Sequence, residues 1–335
     1  MKALVTGSTG CLGSNICKHL RLQGIEVRAL LRSTSCTTAI DDLEVERVVG
    51  DVTDPGSLVA AMGGCDWVFH TAALVSYSPK HWEATRRITV EGTRHVVEAA
   101  LKAGVKRVVH TSSIATIGTT LDPRKIPDET WPFDEYKWKI PYHASKRQAE
   151  DEIYTGIEQG LDAVICNPSI IFGERDINLN AAKVFKLIKS LSPFYPGAGG
   201  SGICDADDVA EAHLRAAYQG RCGERYIMVN ENLTAREYFI LAAEVSGARS
   251  PKIPLIYPTL HWLFGLSAAL TEKFTDKAAS VSPNMPFMIN PYIYGSAAKA
   301  RRELGYGNTP ARESMEKEYR WLTQYHKLWL SSRAV

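Results

Sequence analysis

The sequence contains none of the short motifs that usually mark a metal site. Its seven cysteines form no CxxC pair, and its nine histidines form no HxxxH or HExxH arrangement. An odd number of cysteines is typical of reduced thiols in a cytoplasmic protein, where cysteine behaves as a small apolar residue. We therefore predict no bound metal and a cytoplasmic location.

The chain also lacks a strong excess of either charge. It has 39 basic and 37 acidic residues, and the basic ones are scattered along it. This excludes the clustered basic surface that binds nucleic acid. There is no internal repeat, and the start of the chain runs straight into a strand-like segment, which predicts no signal peptide.

One segment, 253–271, has no charged residue, yet it lacks the unbroken apolar run of about 20 residues that a membrane span needs. Prolines, a histidine and a glycine interrupt it. We favour a buried helix or a lid over a membrane contact. Its most apolar stretch is Trp262-Leu263-Phe264, which suggests a lipophilic ligand, because pockets take the polarity of what they bind.

The most informative feature that is present is a glycine-rich loop. It follows the apolar run Ala3-Leu4-Val5 and reads Gly7-Ser8-Thr9-Gly10-Cys11-Leu12-Gly13. Glycines at these positions permit a tight turn, the approach of a pyrophosphate to backbone N–H groups and close packing of the next helix. We predict a dinucleotide site. Its contacts are Gly7, Thr9, Gly10, Cys11, Leu12 and Gly13.

Arg32 ends the second strand-like run. An NAD site usually has a carboxylate there for the ribose hydroxyls, whereas an arginine accommodates a 2′-phosphate. We therefore predict a preference for NADP(H), with NAD(H) possible. Asp51 follows the third apolar run and is placed to accept a hydrogen bond from the adenine amino group.

Strand-like and helix-like runs alternate through the first half of the chain. The predicted strands are Ala3 to Thr6, Val27 to Leu31, Val45 to Val49, Trp67 to Thr71, Val105 to His110 and Ala163 to Cys166. The clearest predicted helices are His81 to Ala103 and Tyr142 to Gln159. This pattern predicts an α/β fold with a doubly wound parallel sheet, a Rossmann fold.

The second half of the chain is less regular. Proline and glycine predict a long loop over 193–202, and 251–291 shows little strand pattern. We predict a dinucleotide-binding domain of residues 1–168 plus 203–230. A smaller, irregular substrate-binding lobe is predicted from 169–202 plus 231–335.

The chemistry is predicted to come from Tyr142 and Lys146, which lie four residues apart and so share a helix face. A phenol is a poor acid or base at neutral pH, and a nearby ammonium favours its phenolate. Small hydroxyl residues, Thr111-Ser112-Ser113, stand where a buried strand exits, a position from which they could hold a substrate oxygen.

These pieces resemble the extended short-chain dehydrogenase/reductase family over nearly the whole chain. The branch with dihydroflavonol reductases, 3β-hydroxysteroid dehydrogenases and epimerase-like proteins is the most similar. The matching motifs are the loop at Thr6 to Gly13, Gly50-Asp51-Val52, His70-Thr71-Ala72-Ala73, Thr111-Ser112-Ser113, YxxxK, Asn167 to Gly173, Asp205 to Ala210 and Ala297 to Tyr306.

The resemblance implies roles for individual residues. Ser113 would hold the substrate oxygen, Tyr142 would be the general acid/base, and Lys146 would bind the nicotinamide ribose and lower the pKa of the tyrosine. The other implied cofactor contacts are Asp51, Val52, Thr71, Ala72, Ala73, Thr111, Pro168 and Ile170.

We therefore predict an NADPH-dependent carbonyl reductase or alcohol dehydrogenase acting on a small, lipophilic ketone or aldehyde, with a homodimer possible. The first alternative is a nucleotide-sugar epimerase that retains NAD, and the second is a non-catalytic NADP-sensing regulator. Ile114-Ala115 stand where a 4,6-dehydratase of the family has an Asp-Glu pair, which argues against a dehydratase. Gly118 stands where plant flavonoid reductases have an asparagine, which argues against a plant-type flavonoid substrate.

Overall fold

The computed structural model describes residues 1–255, 258–274 and 291–325. Seven strands of this part of the chain form one sheet in which every neighbouring pair is parallel. These are β1 (Lys2–Thr6), β2 (Glu26–Leu31), β3 (Glu46–Val49), β4 (Trp67–His70), β5 (Arg107–Thr111), β6 (Ala163–Pro168) and, later in the chain, Arg225–Met228.

The remaining described strands form two small sheets. They are β7 (Ile170–Phe172), β8 (Phe194–Pro196), β9 (Gly200–Asp205), β11 (Glu231–Thr234), β12 (Ile253–Leu255) and β13 (Tyr292–Ile293), and the label β10 is given to Arg225–Met228 of the large sheet. β9 pairs with β7, β11 and β13, and β12 pairs with β8.

Helices cover both faces of the large sheet. The helices of the described residues are α1 (Cys11–Leu22), α2 (Pro55–Met62), α3 (Trp82–Thr85), α4 (Gly92–Ala103), α5 (Pro141–Glu158), α6 (Lys183–Leu191), α7 (Ala206–Gln219), α8 (Ala235–Ser246), α9 (Pro258–Phe274), α10 (Ala298–Leu304) and α11 (Ala311–Tyr325). Of these, α6, α8 and α11 pack with β7 and β9. The predicted doubly wound α/β fold is confirmed, with strand order β10-β6-β5-β4-β1-β2-β3.

The alternation of side chains along a strand explains the two cores. In β1, Ala3 and Val5 pack with α1, α7 and α10, whereas Leu4 faces α2, α4 and α5. Each strand of the sheet interior is therefore apolar on both faces, which is why the sequence showed continuous apolar runs. The strand order reverses between β1 and β4, and a crevice opens there at the carboxyl ends of the strands.

Two predicted segments differ from the structure. The loop predicted over 193–202 contains β8 and the start of β9, which are too short and too rich in proline and glycine to give a strand pattern. The helix predicted from His81 to Ala103 is divided, because residues Arg86–Glu91 form a π-helical turn between α3 and α4. A π-turn of this kind often lies at a functional site.

Among the described residues, no helix is long and apolar enough to cross a membrane. Within the same residues, no group of three or more His, Cys, Asp or Glu side chains is placed to hold a metal ion. All seven cysteines are free thiols.

Candidate active site

A cavity of about 1350 Å³ lies at the carboxyl ends of β1, β2, β4, β5 and β6. Drug-sized ligands usually occupy 300–1,000 Å³, so this cavity has room for a dinucleotide and a second molecule. Every site residue named from the sequence lines it. These are Gly7, Thr9, Gly10, Cys11, Leu12, Gly13, Arg32, Asp51, Val52, Thr71, Ala72, Ala73, Thr111, Ser113, Tyr142, Lys146, Pro168 and Ile170.

The glycine loop turns sharply between β1 and α1. Gly7 has φ +66°, and a Cβ added there would lie 2.7 Å from Thr71 Oγ1 and 2.8 Å from the Ala72 nitrogen. The Gly10 N–H donates to the Gly7 carbonyl oxygen over 2.9 Å, and no side chain caps the start of α1. A helix N-terminus with free N–H groups favours an anion, so the loop fits a pyrophosphate.

The opposite end of the cavity carries Arg32 and Asp51. Ser8 Oγ donates to the Leu30 carbonyl oxygen over 2.9 Å and so ties the glycine loop to the end of β2, directly before the exposed Arg32. Asp51 Oδ1 accepts hydrogen bonds of 2.8 Å from the backbone and the hydroxyl of Thr53. Arg32 and Asp51 both line the cavity.

Tyr142 and Ser113 meet at the centre of the cavity. Pro141 starts α5, a position where proline costs no hydrogen bond, and this places Tyr142 in the first turn. The Ser113 side chain lies near the Tyr142 phenol and acts to lower its pKa. Ser113 Oγ accepts a 3.1 Å hydrogen bond from the Ala115 N–H, which caps a short 3₁₀ turn and fixes the serine after β5.

Lys146 lies one turn after Tyr142 and is only 3% exposed. Its Nζ donates to the Thr111 carbonyl oxygen over 2.7 Å. Burial lowers the pKa of Lys146 to about 8, and the negative charge of Glu150 opposes this fall.

The electrostatics of Tyr142 differ from the expectation. The sequence suggested that Lys146 lowers the pKa of the phenol, but burial raises the pKa of Tyr142 above its ordinary value, and the Ser113 side chain offsets only part of this rise. The reason is that the side chain is desolvated while the lysine ammonium is directed to Thr111. The phenol therefore keeps its proton at neutral pH.

Sequence reasoning missed Tyr77 and His143, which also line the cavity beside Tyr142. The Tyr77 ring contacts the Tyr142 ring edge-on at 5.5 Å and the His143 ring at 5.8 Å. Burial lowers the pKa of His143 to about 3, so this imidazole is neutral. His143 could have been identified from the sequence, because it directly follows Tyr142. No local sequence pattern identifies Tyr77 as a residue of the cavity.

Gly118 is enclosed by other parts of the chain. A Cβ added there would collide with the Pro132 carbonyl oxygen and with Cδ1 of Trp131. The position therefore has no room for the asparagine that stands there in plant flavonoid reductases, unless the Trp131-Pro132 segment moves.

The predicted apolar lid falls partly outside the described residues. The structure describes α9 as a helix, but the side chains of Trp262, Leu263 and Phe264 lie outside what it describes. Apolar lining of the cavity comes instead from other segments after β6. The described side chains are Ile171, Val184, Leu187, Phe239 and Ile293.

Comparison with known proteins agrees with this geometry. The model of the NAD dependent epimerase/dehydratase family matches residues 3–230. A Synechocystis sp. protein that carries the name of a dihydroflavonol 4-reductase is 34% identical over 333 residues, covering 96% of this chain and 94% of the relative. Sterol demethylase protein B of Methylococcus capsulatus is 30% identical over 331 residues, covering 97% and 99%.

A solved structure is similar over the same extent. The crystal structure of gox2253 superposes with a TM-score of 0.83 at 33% identity, covering 96% of this chain and 98% of that one. The match includes both the large sheet and the chain after β6.

Proposed function

The chain belongs to the NAD dependent epimerase/dehydratase family, and we propose that it works there as an NADPH-dependent reductase of a small, lipophilic ketone or aldehyde. The observation that carries this proposal is the meeting of Ser113, Tyr142 and Lys146 in one cavity with the glycine loop. Together they provide an oxygen-binding hydroxyl, a protonated phenol and an ammonium beside a dinucleotide site.

The residues present fit a nicotinamide dinucleotide. The missing side chain of Gly7 lets the loop pack tightly against Thr71 and Ala72, the start of α1 offers N–H groups to the pyrophosphate, and Pro168 with Ile170 also lines the cavity. When bound, the cofactor supplies the hydride. Arg32, rather than a carboxylate, at the end of β2 supports NADP(H) as the preferred form.

The side chains of the chain handle the proton and the carbonyl oxygen. Ser113 and Tyr142 line the same part of the cavity, and a substrate oxygen bound there would be within reach of both hydroxyls. Tyr142 gives its proton to that oxygen as negative charge develops on it. The Lys146 ammonium offsets the charge that the phenolate then carries.

A lipophilic substrate is supported by the apolar side chains around the second part of the cavity. The names of the two curated relatives, which refer to a flavonoid and to sterols, are consistent with this class. The enclosed Gly118 argues against a plant-type flavonoid itself.

The nucleotide-sugar epimerase stays as the second candidate, because the matching family model is named for epimerases and dehydratases. The two functions differ in how they hold the cofactor. A reductase exchanges it at every turnover, whereas an epimerase retains NAD.

One experiment separates them. Purified protein is analysed for co-purifying nucleotide, titrated with NADPH and NADH, and then assayed with ketones, aldehydes and nucleotide sugars. We expect release of any bound nucleotide, tighter binding of NADPH and oxidation of NADPH by lipophilic ketones. Retained NAD with turnover of a nucleotide sugar would contradict the proposal, and nucleotide binding without any turnover would favour the regulator.

We further propose the division into residues 1–168 plus 203–230 and 169–202 plus 231–335, a cytoplasmic location and a homodimer. β10 completes the large sheet, while β7, β9 and β11 form a separate one, which supports the boundaries near 168 and 230. Free thiols at all seven cysteines support the location. Light scattering at several protein concentrations would test the homodimer.

A further inference from the structure

Behind the proposed active site, α5 buries a carboxylate that the reaction does not use. Glu150 lies one turn after Lys146 and is fully buried. A buried carboxylate is costly unless hydrogen bonds compensate for lost water. Its Oε1 accepts three of them, from Ser112 Oγ at 2.5 Å, Asn167 Nδ2 at 2.7 Å and Thr116 Oγ1 at 2.8 Å.

These three donors surround the backbone of Ser113. Ser112 precedes it, Thr116 Oγ1 lies 2.9 Å from the Ser113 carbonyl oxygen, and Asn167 Nδ2 lies 3.2 Å from the same oxygen. One carboxylate therefore joins the turn after β5, the end of β6 and the helix that carries Tyr142 and Lys146.

We propose that Glu150 is a positioning residue for proton transfer: it fixes Ser113 relative to Tyr142 and maintains the charge on Lys146. This inference rests on the proposed function. Without the carboxylate, the three donors would lose a common acceptor, and the Ser113 turn would be free to move away from α5.

The charged and titratable groups around Glu150 and Lys146 decide whether loss of the carboxylate raises or lowers the pKa of Lys146. Lys146 faces Glu150 on its own helix and the imidazoles of His70 and His110 from β4 and β5. Burial lowers the pKa of both histidines, so they are neutral, and Glu150 is the negative charge that acts on Lys146.

The other side of Glu150 faces positive charge. Its Oε2 lies 3.8 Å from Nε of Arg225 on β10 and 3.9 Å from Nη1 of Arg147 on α5, and the Tyr154 phenol is nearby. Glu150→Gln would remove the negative charge while the two arginines keep theirs, so the pKa of Lys146 should fall.

The test compares Glu150→Gln with the wild type and with Glu152→Gln. Glu152 lies on the same helix but forms a surface ion pair with Arg94. In Glu150→Gln we expect kcat for ketone reduction to fall about tenfold and the alkaline limb of kcat/KM to move about one pH unit lower. In Glu152→Gln, the NADPH affinity, the KM and the alkaline limb of the kcat/KM profile should be unchanged.

A second readout does not require turnover. Competitive acylation of lysines over a pH series, read by mass spectrometry, gives the titration midpoint of Lys146. We expect a lower midpoint in Glu150→Gln than in the wild type. If the wild type reduces no ketone, the proposed function fails while this comparison still decides the role of Glu150 toward Lys146.

The outcomes are distinct. An unmoved alkaline limb together with an unmoved Lys146 midpoint overturns the proposal, as does a Glu150→Gln variant that melts earlier but turns over normally. If Glu150→Gln does not fold, Ser112→Ala removes one donor and keeps the charge. It should lower kcat about threefold or more without moving the limb, and unchanged kcat there would overturn the positioning role.

Discussion

The Lys146 ammonium is held by the carbonyl oxygen of Thr111, 2.7 Å away, rather than by a carboxylate. Helix α5 is thus fastened to the end of β5, directly before the turn that carries Ser113. Because the partner is neutral and the site is buried, the pKa of Lys146 falls to about 8. The lysine charge is therefore sensitive to its surroundings within the physiological pH range.

Removal of the phenol hydroxyl should separate chemistry from binding. Tyr142→Phe keeps the ring contact with Tyr77 but has no proton to donate. We expect kcat to fall at least about 10²-fold, with NADPH affinity close to that of the wild type. Steady-state kinetics and fluorescence titration measure the two quantities. Retained turnover would mean that another group supplies the proton.

The charge of Arg32 should decide the cofactor preference. The side chain is exposed, so Arg32→Asp is expected to weaken NADPH binding by about 1.5–3 kcal/mol, the value of a hydrogen bond to a charged group, and to leave NADH binding nearly unchanged. Calorimetric titration with both cofactors tests this. An equal loss of affinity for NADPH and NADH would mean that Arg32 supports the fold and does not bind a 2′-phosphate.

Buried histidines should make the protein less stable in mild acid. Burial lowers the pKa of His70 and His143 to about 3 and of His213 to about 4. In the unfolded chain their pKa is about 6.5, so below that pH the unfolded state binds more protons. Stability is therefore complete above pH ~6.5 and falls as the pH is lowered through the folded-state values.

Urea unfolding at pH 7.5 and pH 5.5 measures this loss, which amounts to as much as ~1.4 kcal/mol per pH unit for each histidine. His213→Gln removes one proton acceptor, and its stability should fall less between the two pH values. If the free energy of unfolding fell equally between the two pH values in His213→Gln and in the wild type, His213 would not be a source of the acid sensitivity.

The apolar lining should matter only for apolar substrates. Leu187 lines the cavity from α6 and is partly exposed. Leu187→Ser should raise KM for lipophilic ketones by the equivalent of about 1.5–3 kcal/mol and hardly affect small polar ones. Equal losses with all substrates, accompanied by a lower Tm, would indicate a structural role and reopen the nucleotide-sugar alternative.

The sequence predicted the parts of the fold in which local patterns are strong. β1 and the glycine loop were visible because a buried parallel strand is apolar throughout and because Gly7 needs φ +66°. β8 and β12 were not visible, since strands of three residues that contain proline carry no periodic signal.

The same difference applies to the candidate site. Tyr142 and Lys146 could be placed on one helix face because they are four residues apart. Tyr77 and Tyr142 are 65 residues apart, so their ring contact could not be predicted from a local pattern. Glu150 could have been suspected, since it lies on the face of Lys146. Its three donors come from other segments, which only the folded chain brings together.

The cavity draws its walls from several separate stretches of chain. The groups proposed to handle the proton come from the segments around β5 and α5, whereas apolar surface comes from residues after β6, including Val184, Phe239 and Ile293. Changes in the later stretch can therefore alter which molecule is accepted without moving Ser113 or Tyr142. For protein engineering, this makes the loop and helix that follow β7 the region to randomise when a new substrate is sought, while the Glu150 network is left intact.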